Sequence, residues 1–422
     1  MHEQIARDLL DFIQASPTCY QVIENFKTLL TGYQPLSETE LWTLEPGKGY
    51  YVVRNDASLI TFRLPKGELK GFRMAAAHSD SPLFKVKPKE EMTLEGHYVR
   101  LNVEKYGGMV YGPWMDRPLS IAGRAVVRQG DDVAVKLVNF DRDLVLIPNL
   151  AIHMNREVNS GMAYNPQVDL LPLFGDGESK GMFLPMLAEQ VGVAPEDVLG
   201  TDLFLYNRMK GTIWGAHNEF ISSRSLDDLQ CAWSLMQGYL QSEPDPEYGA
   251  LCCIFDAEEV GSGGMQGADS TFFSDVLERI GECLGLSAQQ RQAVIARSFL
   301  VSADNAHAVH PNHPEKADPT NRPYLNEGIV IKYNAGKKYT TDGISEARFK
   351  LVCEKAGVPY QTFTNRSDML GGSTLGRISI SHVSLSTVDI GLPQLAMHSP
   401  YETAGVRDTE YLVRAMRTYF GN

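Results

Sequence analysis

Leu251-Cys252-Cys253-Ile254-Phe255-Asp256-Ala257-Glu258-Glu259-Val260-Gly261-Ser262-Gly263-Gly264 passes from five apolar residues through Asp256-Ala257 to two adjacent glutamates. A short unbroken apolar run of this kind reads as a buried strand. Neighbouring carboxylates at its end repel each other unless a cation or a solvated turn compensates. The glycines that follow lack the G-x-G-x-x-G spacing, and no lysine follows as in a P-loop. Two carboxylates at the mouth also repel phosphate. The segment is a strand end built for something other than a nucleotide.

Outward from this strand, strand and helix patterns alternate. Upstream, Ile5, Leu9, Leu10 and Ile13 share one helical face that Ser16-Pro17 closes, and Val22, Ile23, Phe26 and Leu30 mark a second helix. Tyr50–Val53, Leu59–Leu64 and Phe72–Ala77 read as strands divided by turns at Asn55-Asp56 and Pro65–Gly67. Downstream, Asp227–Leu240, Ser270–Leu284, Ala288–Ala296 and Glu410–Tyr419 read as helices, with Phe299–Ser302 and Leu385–Val388 as buried strands. Residues 95–147 instead alternate with period two around a hairpin turn at Gln129-Gly130-Asp131. A single helix, 183–191, is expected before about residue 215. Such alternation on both sides of a β stretch predicts an α/β sandwich, residues 1–86 and 216–422, interrupted by a β-rich domain over 87–215.

The chain has 422 residues, 43% of them apolar and 22% charged, which suits two to three structural units. Against 39 basic residues stand 52 acidic ones, for a net charge of −13, and no Lys/Arg run exceeds a pair. That excludes an electrostatic nucleic-acid footprint and disfavours anionic lipid. Apolar runs fall far short of the roughly 20 residues that span a bilayer. Cys19, Cys231, Cys252, Cys253, Cys283 and Cys353 form no C-x-x-C, and the pair inside the apolar strand fits buried thiols in a reducing compartment. The N-terminus shows no basic stretch leading into an apolar one. The expectation is a soluble cytoplasmic protein with neither nucleic acid nor membrane as partner.

Four further segments carry strong metal-ligand types. His78 ends a predicted strand, and Asp80, two residues on, can point to the same side and hold the second imidazole nitrogen. Asp227 opens a helix, where it is either a ligand or an N-cap. Asp304 leaves the strand Phe299–Ser302; His307, His310 and His313 follow at three-residue spacing, but Pro311 and Pro314 exclude a regular helix there. His398 leaves another apolar stretch. The order His, Asp, Glu-Glu, Asp, His supplies what two divalent ions about 3.5–4 Å apart require: a bridging carboxylate, a histidine and a further carboxylate for each ion, and one glutamate kept free as a base.

These segments, together with Ile147-Pro148-Asn149-Leu150-Ala151-Ile152-His153, Asp304-Asn305-Ala306-His307-Ala308-Val309-His310-Pro311-Asn312 and Gln394-Leu395-Ala396-Met397-His398, resemble the M18-family metallo-aminopeptidases, the aspartyl aminopeptidase group of two-zinc exopeptidases. The resemblance spans essentially the whole chain. It implies that Asp227 bridges two Zn2+ per subunit, with Co2+ or Mn2+ also suited. His78 and Asp304 would complete one zinc, and Glu259 and His398 the other. Glu258 would be the general base, with Asp80 orienting His78.

The resemblance also implies that Lys332 faces an acidic substrate side chain, with Tyr339 near the same wall. His153 would be offered to a neighbouring subunit's site. His310 matches a family histidine, and its proline-flanked context favours packing over ligation. The β-rich insertion would be a dimerisation domain, and the homo-oligomer a tetrahedral dodecamer built from dimers. The implied activity is hydrolysis of the N-terminal residue from peptide substrates, preferring Asp or Glu. Gly336-Lys337-Lys338-Tyr339 matches the family only loosely, which keeps neutral specificity open. A metal-dependent deacylase, built from the same ligand set, is the other alternative.

Overall fold

In the computed structural model, which describes residues 2–369, 371–372, 374, 376 and 382–421, the strand Tyr248–Phe255 runs parallel to Gly71–His78 and antiparallel to Ser58–Arg63. Among the described residues, nine strands form this sheet, in the order Gln34–Leu36, Gly49–Arg54, Ser58–Arg63, Tyr248–Phe255, Gly71–His78, Phe299–Ala303, Ser386–Gly391, Ile329–Tyr333 and Tyr360–Thr364. Both parallel and antiparallel pairs occur, so the sheet is mixed.

Strand periodicity of two sorts the buried side chains onto two faces. Ala75, Ala77, Cys252 and Ile254 pack with the helices His2–Ala15, Leu226–Gln241 and Asp408–Phe420. Met74, Ala76, Leu251, Cys253 and Phe255 pack with Phe272–Cys283 and Ala288–Arg297 on the other side. The result is the expected α/β/α sandwich. Central strands covered on both faces need apolar residues at every position, hence the continuous runs in the sequence.

Among the described residues, seven more strands form a second body with its own core around Phe84, Trp114, Ile121 and Phe183. Val198–Asn207 pairs with both Leu83–Leu94 and Pro118–Gln129 and thereby closes the sheet into a barrel. The lone expected helix lies at Phe183–Val191. Among the described residues, no helix is long and apolar enough to cross a membrane.

A small third sheet was not expected. It joins Thr212–Trp214, Phe220–Ser223, Glu402–Gly405, Pro393–Leu395 and Ala306–His307. Strands of two to four residues are too short to show a period. The sheet matters because it fixes the approach of the chain to Asp227, to His398 and away from Asp304.

Candidate metal centre

Three adjacent parallel strands, Gly71–His78, Tyr248–Phe255 and Phe299–Ala303, point their carboxyl ends the same way. His78, the Glu258-Glu259 pair and Asp304 therefore emerge side by side, in the position where open α/β sheets bind ligands. The helix Leu226–Gln241 delivers Asp227 over the same edge. Ser225, in a left-handed conformation, occupies the capping position without a side-chain bond, and Asp227 (φ −81°, ψ 110°) and Asp228 (φ −116°, ψ 19°) are not helical. The N-cap reading of Asp227 does not hold. Its side chain turns into the cluster instead.

Asp227 divides its two oxygens between two histidines. Oδ1 lies 3.6 Å from His78 Nε2, and Oδ2 lies 3.5 Å from His398 Nε2. His398 Nε2 is also 3.3 Å from Glu259 Oε2. One group of donors thus comprises His78, Asp227, Asp228 and Asp304, and a second comprises Asp227, Glu259 and His398, each within 4.8 Å. Asp227 belongs to both. These separations exceed the usual 2.7–3.2 Å of a hydrogen bond. Two ligands each about 2.0–2.1 Å from a tetrahedral zinc stand about 3.3 Å apart, which is the spacing seen here.

The unpaired atoms make the same case. Asp227 Oδ1, Asp228 Oδ1 and Glu259 Oε1 are buried with no hydrogen-bond partner. A buried carboxylate oxygen without a partner is strongly unfavourable, and a divalent cation supplies what is missing. Burial, reinforced by Asp304 and Glu259, pushes the Glu258 carboxyl well above its usual pKa. Burial likewise takes Glu259 up to about 7. At His398 burial alone would lower the pKa, but Asp227 and Glu259 outweigh it and raise it to about 11. The pocket concentrates negative charge and favours a positive occupant.

Asp80 holds the loop together. Its Oδ1 accepts the backbone N–H of Glu258 and its Oδ2 that of Glu259, both at 3.1 Å. The His78 Nδ1 lies 3.1 Å from the Asp80 carbonyl oxygen and 3.4 Å from its Oδ1, which leaves Nε2 facing the cluster. Lys332, only 2% exposed, donates to the Asn305 carbonyl at 2.8 Å and sits 3.5 Å from Asp304 Oδ2. The Tyr339 ring lies 5.5 Å from its ammonium.

Two residues of the sequence reading lie elsewhere. His153 stands exposed in the loop after Val145–Leu146, outside both donor groups. His310 is exposed too, its Nδ1 accepting the Asn312 N–H at 3.2 Å, so the packing role expected for it does not hold.

Sequence reasoning missed Asp228 and Glu402. Asp228 Oδ2 accepts the backbone N–H of His78 at 3.1 Å. Its one signal was adjacency to Asp227. Glu402 is 1% exposed and bonds to the backbone of both Asp227 and His398. Only the small third sheet places it there, so no spacing could have revealed it.

Comparison with known proteins follows the same lines. The family model for aminopeptidase I zinc metalloproteases (M18) matches residues 12–420. A probable M18 family aminopeptidase 2 of Clostridium novyi (strain NT) is 44% identical, over 99% of this chain and 98% of its own length. Among solved structures, a chain of an Ape4 and Nbr1 complex superposes with a TM-score of 0.96 at 36% identity, over 99% of this chain and 86% of that one. The S. cerevisiae mApe1 dodecamer gives 0.87 at 27% identity, over 99% and 96%.

Proposed function

Because the chain belongs to the M18 family of zinc aminopeptidases, we propose that it removes N-terminal residues from peptides at a dinuclear zinc centre and prefers Asp or Glu there. The observation that carries this reading is the sharing of Asp227 between two donor groups, one with His78 and Asp304 and the other with Glu259 and His398. Zinc bound at such a centre lowers the pKa of water and polarises a scissile carbonyl. Glu258 bears on neither donor group and is free to take a proton from the attacking water and return it to the leaving amine.

Lys332 is the cation beside the cluster. An ammonium has three donors; one goes to the Asn305 carbonyl, and Asp304 pairs with the charge at 3.5 Å. On this reading a substrate carboxylate would draw on the same ammonium, with Tyr339 as the adjoining wall. Residues 1–86 and 216–422 form the catalytic domain on this reading, and 87–215 pair copies into dimers that build a tetrahedral dodecamer. Leu150, Ile152 and Met154, which are 50%, 49% and 74% exposed, flank His153. An apolar loop tip of this kind calls for cover, and a neighbouring subunit would supply it while receiving His153 at its site. Cytoplasmic residence, which would keep the free thiols reduced, belongs to the same proposal.

A dipeptide library, offered to chelator-stripped and zinc-restored protein, tests the reading. Restored protein should hold two zinc equivalents and release N-terminal Glu and Asp fastest. Turnover of N-acyl amino acids in place of peptides would mark a deacylase.

A further inference from the structure

The strand Tyr98–Tyr106 belongs to the barrel, yet its last residue touches the catalytic loop. The Tyr106 hydroxyl donates to Asp80 Oδ2 at 2.8 Å. That oxygen also accepts the Glu259 N–H, and its twin accepts the Glu258 N–H. Tyr106 is itself braced within the barrel, its ring 5.6 Å from Phe204 in an edge-on contact.

The chain that follows stays on the centre. Gly107 has φ +77°, and a Cβ there would lie 3.1 Å from Glu259 Cβ. A Cβ on Gly108 would lie 3.8 Å from His398 Nδ1. Val110 N–H then donates to the His398 carbonyl at 3.1 Å. A five-residue strap of the insertion thus lies against both ligands of the Glu259–His398 half.

We infer that Tyr106 is a positioning residue through which the β-rich insertion sets the reaction geometry: its hydroxyl locks the Asp80 carboxylate that carries Glu258 and Glu259, while Gly107–Val110 back Glu259 and His398. The inference rests on the dinuclear reading above. The two halves of the centre depend on the strap unequally. His78 makes its nearer contact with the Asp80 carbonyl oxygen, which rotation of the carboxylate leaves in place. Glu259 is held by the carboxylate and by the strap, and His398 by the strap.

Two variants of the full-length assembled enzyme test it, with zinc content followed by chelator titration and turnover measured on a peptide with an N-terminal Glu. Partners behind metal ligands typically contribute about 10–100-fold to affinity or activity. Tyr106→Phe should release one of the two zinc equivalents at about 10–100-fold lower chelator concentration and lower kcat about tenfold, with KM within about twofold. Gly107→Ala, which crowds Glu259 and leaves the Tyr106 hydroxyl intact, should weaken the same equivalent. Equal weakening of both zincs with a falling melting temperature would mean general loosening and overturn the inference. Wild-type zinc retention and kcat within about twofold in both variants would overturn it as well. A wild-type protein that holds a single zinc refutes the dinuclear reading instead; the strap's role then stands or falls on whether that zinc weakens in the variants.

Discussion

Glu402 Oε2 accepts the backbone N–H of Asp227 at 2.9 Å. Its Oε1 accepts that of His398 at 2.7 Å, so one buried carboxylate sets the backbone of both residues that face each other across the centre. Glutamine can accept only one of these bonds and turns an NH2 group toward the other donor. Glu402→Gln should therefore weaken zinc binding about 10–100-fold while leaving every ligand in place. Zinc affinity equal to wild type, measured by chelator competition, would remove Glu402 from the support of the centre.

On the proposed dinuclear reading, Asp227 and Glu258 should separate cleanly by mutation. Asp227→Ala takes a ligand from both donor groups and should lose both zinc equivalents in elemental analysis. Glu258→Gln should keep both and lower kcat by about 10²–10⁴-fold, the usual contribution of a general acid–base group. Turnover within threefold of wild type would leave Glu258 without the base role.

Lys332 serves Asp304 and, on the proposed reading, the substrate. Lys332→Met should lower activity on every peptide, but the ratio of kcat/KM for Glu over Leu substrates isolates specificity. A charge-assisted hydrogen bond of about 1.5–3 kcal/mol predicts a fall in that ratio of about 10–150-fold. An unchanged ratio assigns the lysine to Asp304 alone.

Asp408, at the start of the helix Asp408–Phe420, accepts the N–H groups of Asn326 and Gly328 at 2.7 and 3.0 Å. Burial outweighs these bonds and raises its pKa from 3.8 to about 7. A carboxyl raised by folding contributes stability that is whole below its unfolded pKa and is lost as pH climbs through the folded one. Asp408→Asn cannot ionise. Its melting temperature should gain on wild type as pH rises from about 5 to about 8, whatever constant offset the substitution brings. A constant gap across that range would contradict the raised pKa.

Much of the fold is legible in the chain because central strands covered on both faces must be apolar throughout, as Leu251–Phe255 is, and because the insertion alternates with period two. Ile329–Tyr333 and the helix Gly343–Ala356 escaped that reading. The helix buries Ser345, Phe349 and Cys353, too narrow a stripe to announce itself, although Asp342 and Ser345 form its capping box and Gly357 its left-handed end.

At the centre, the chain by itself determined which residue types stand at which strand ends. His78, Glu258-Glu259, Asp304 and His398 each follow an apolar run, and their order carries the ligand inventory. Only the tertiary structure decided how the two oxygens of Asp227 are shared, that Asp228 stands beside it, that Glu402 holds both backbones, and that Tyr106 reaches Asp80 from the barrel. The reason is physical. Strand ends are set by local pattern, but a carboxylate's partners are set by which elements the sheet order brings together, and Tyr106, Asp80, Asp227 and Glu402 meet across more than 300 residues of chain only once three sheets have closed around them.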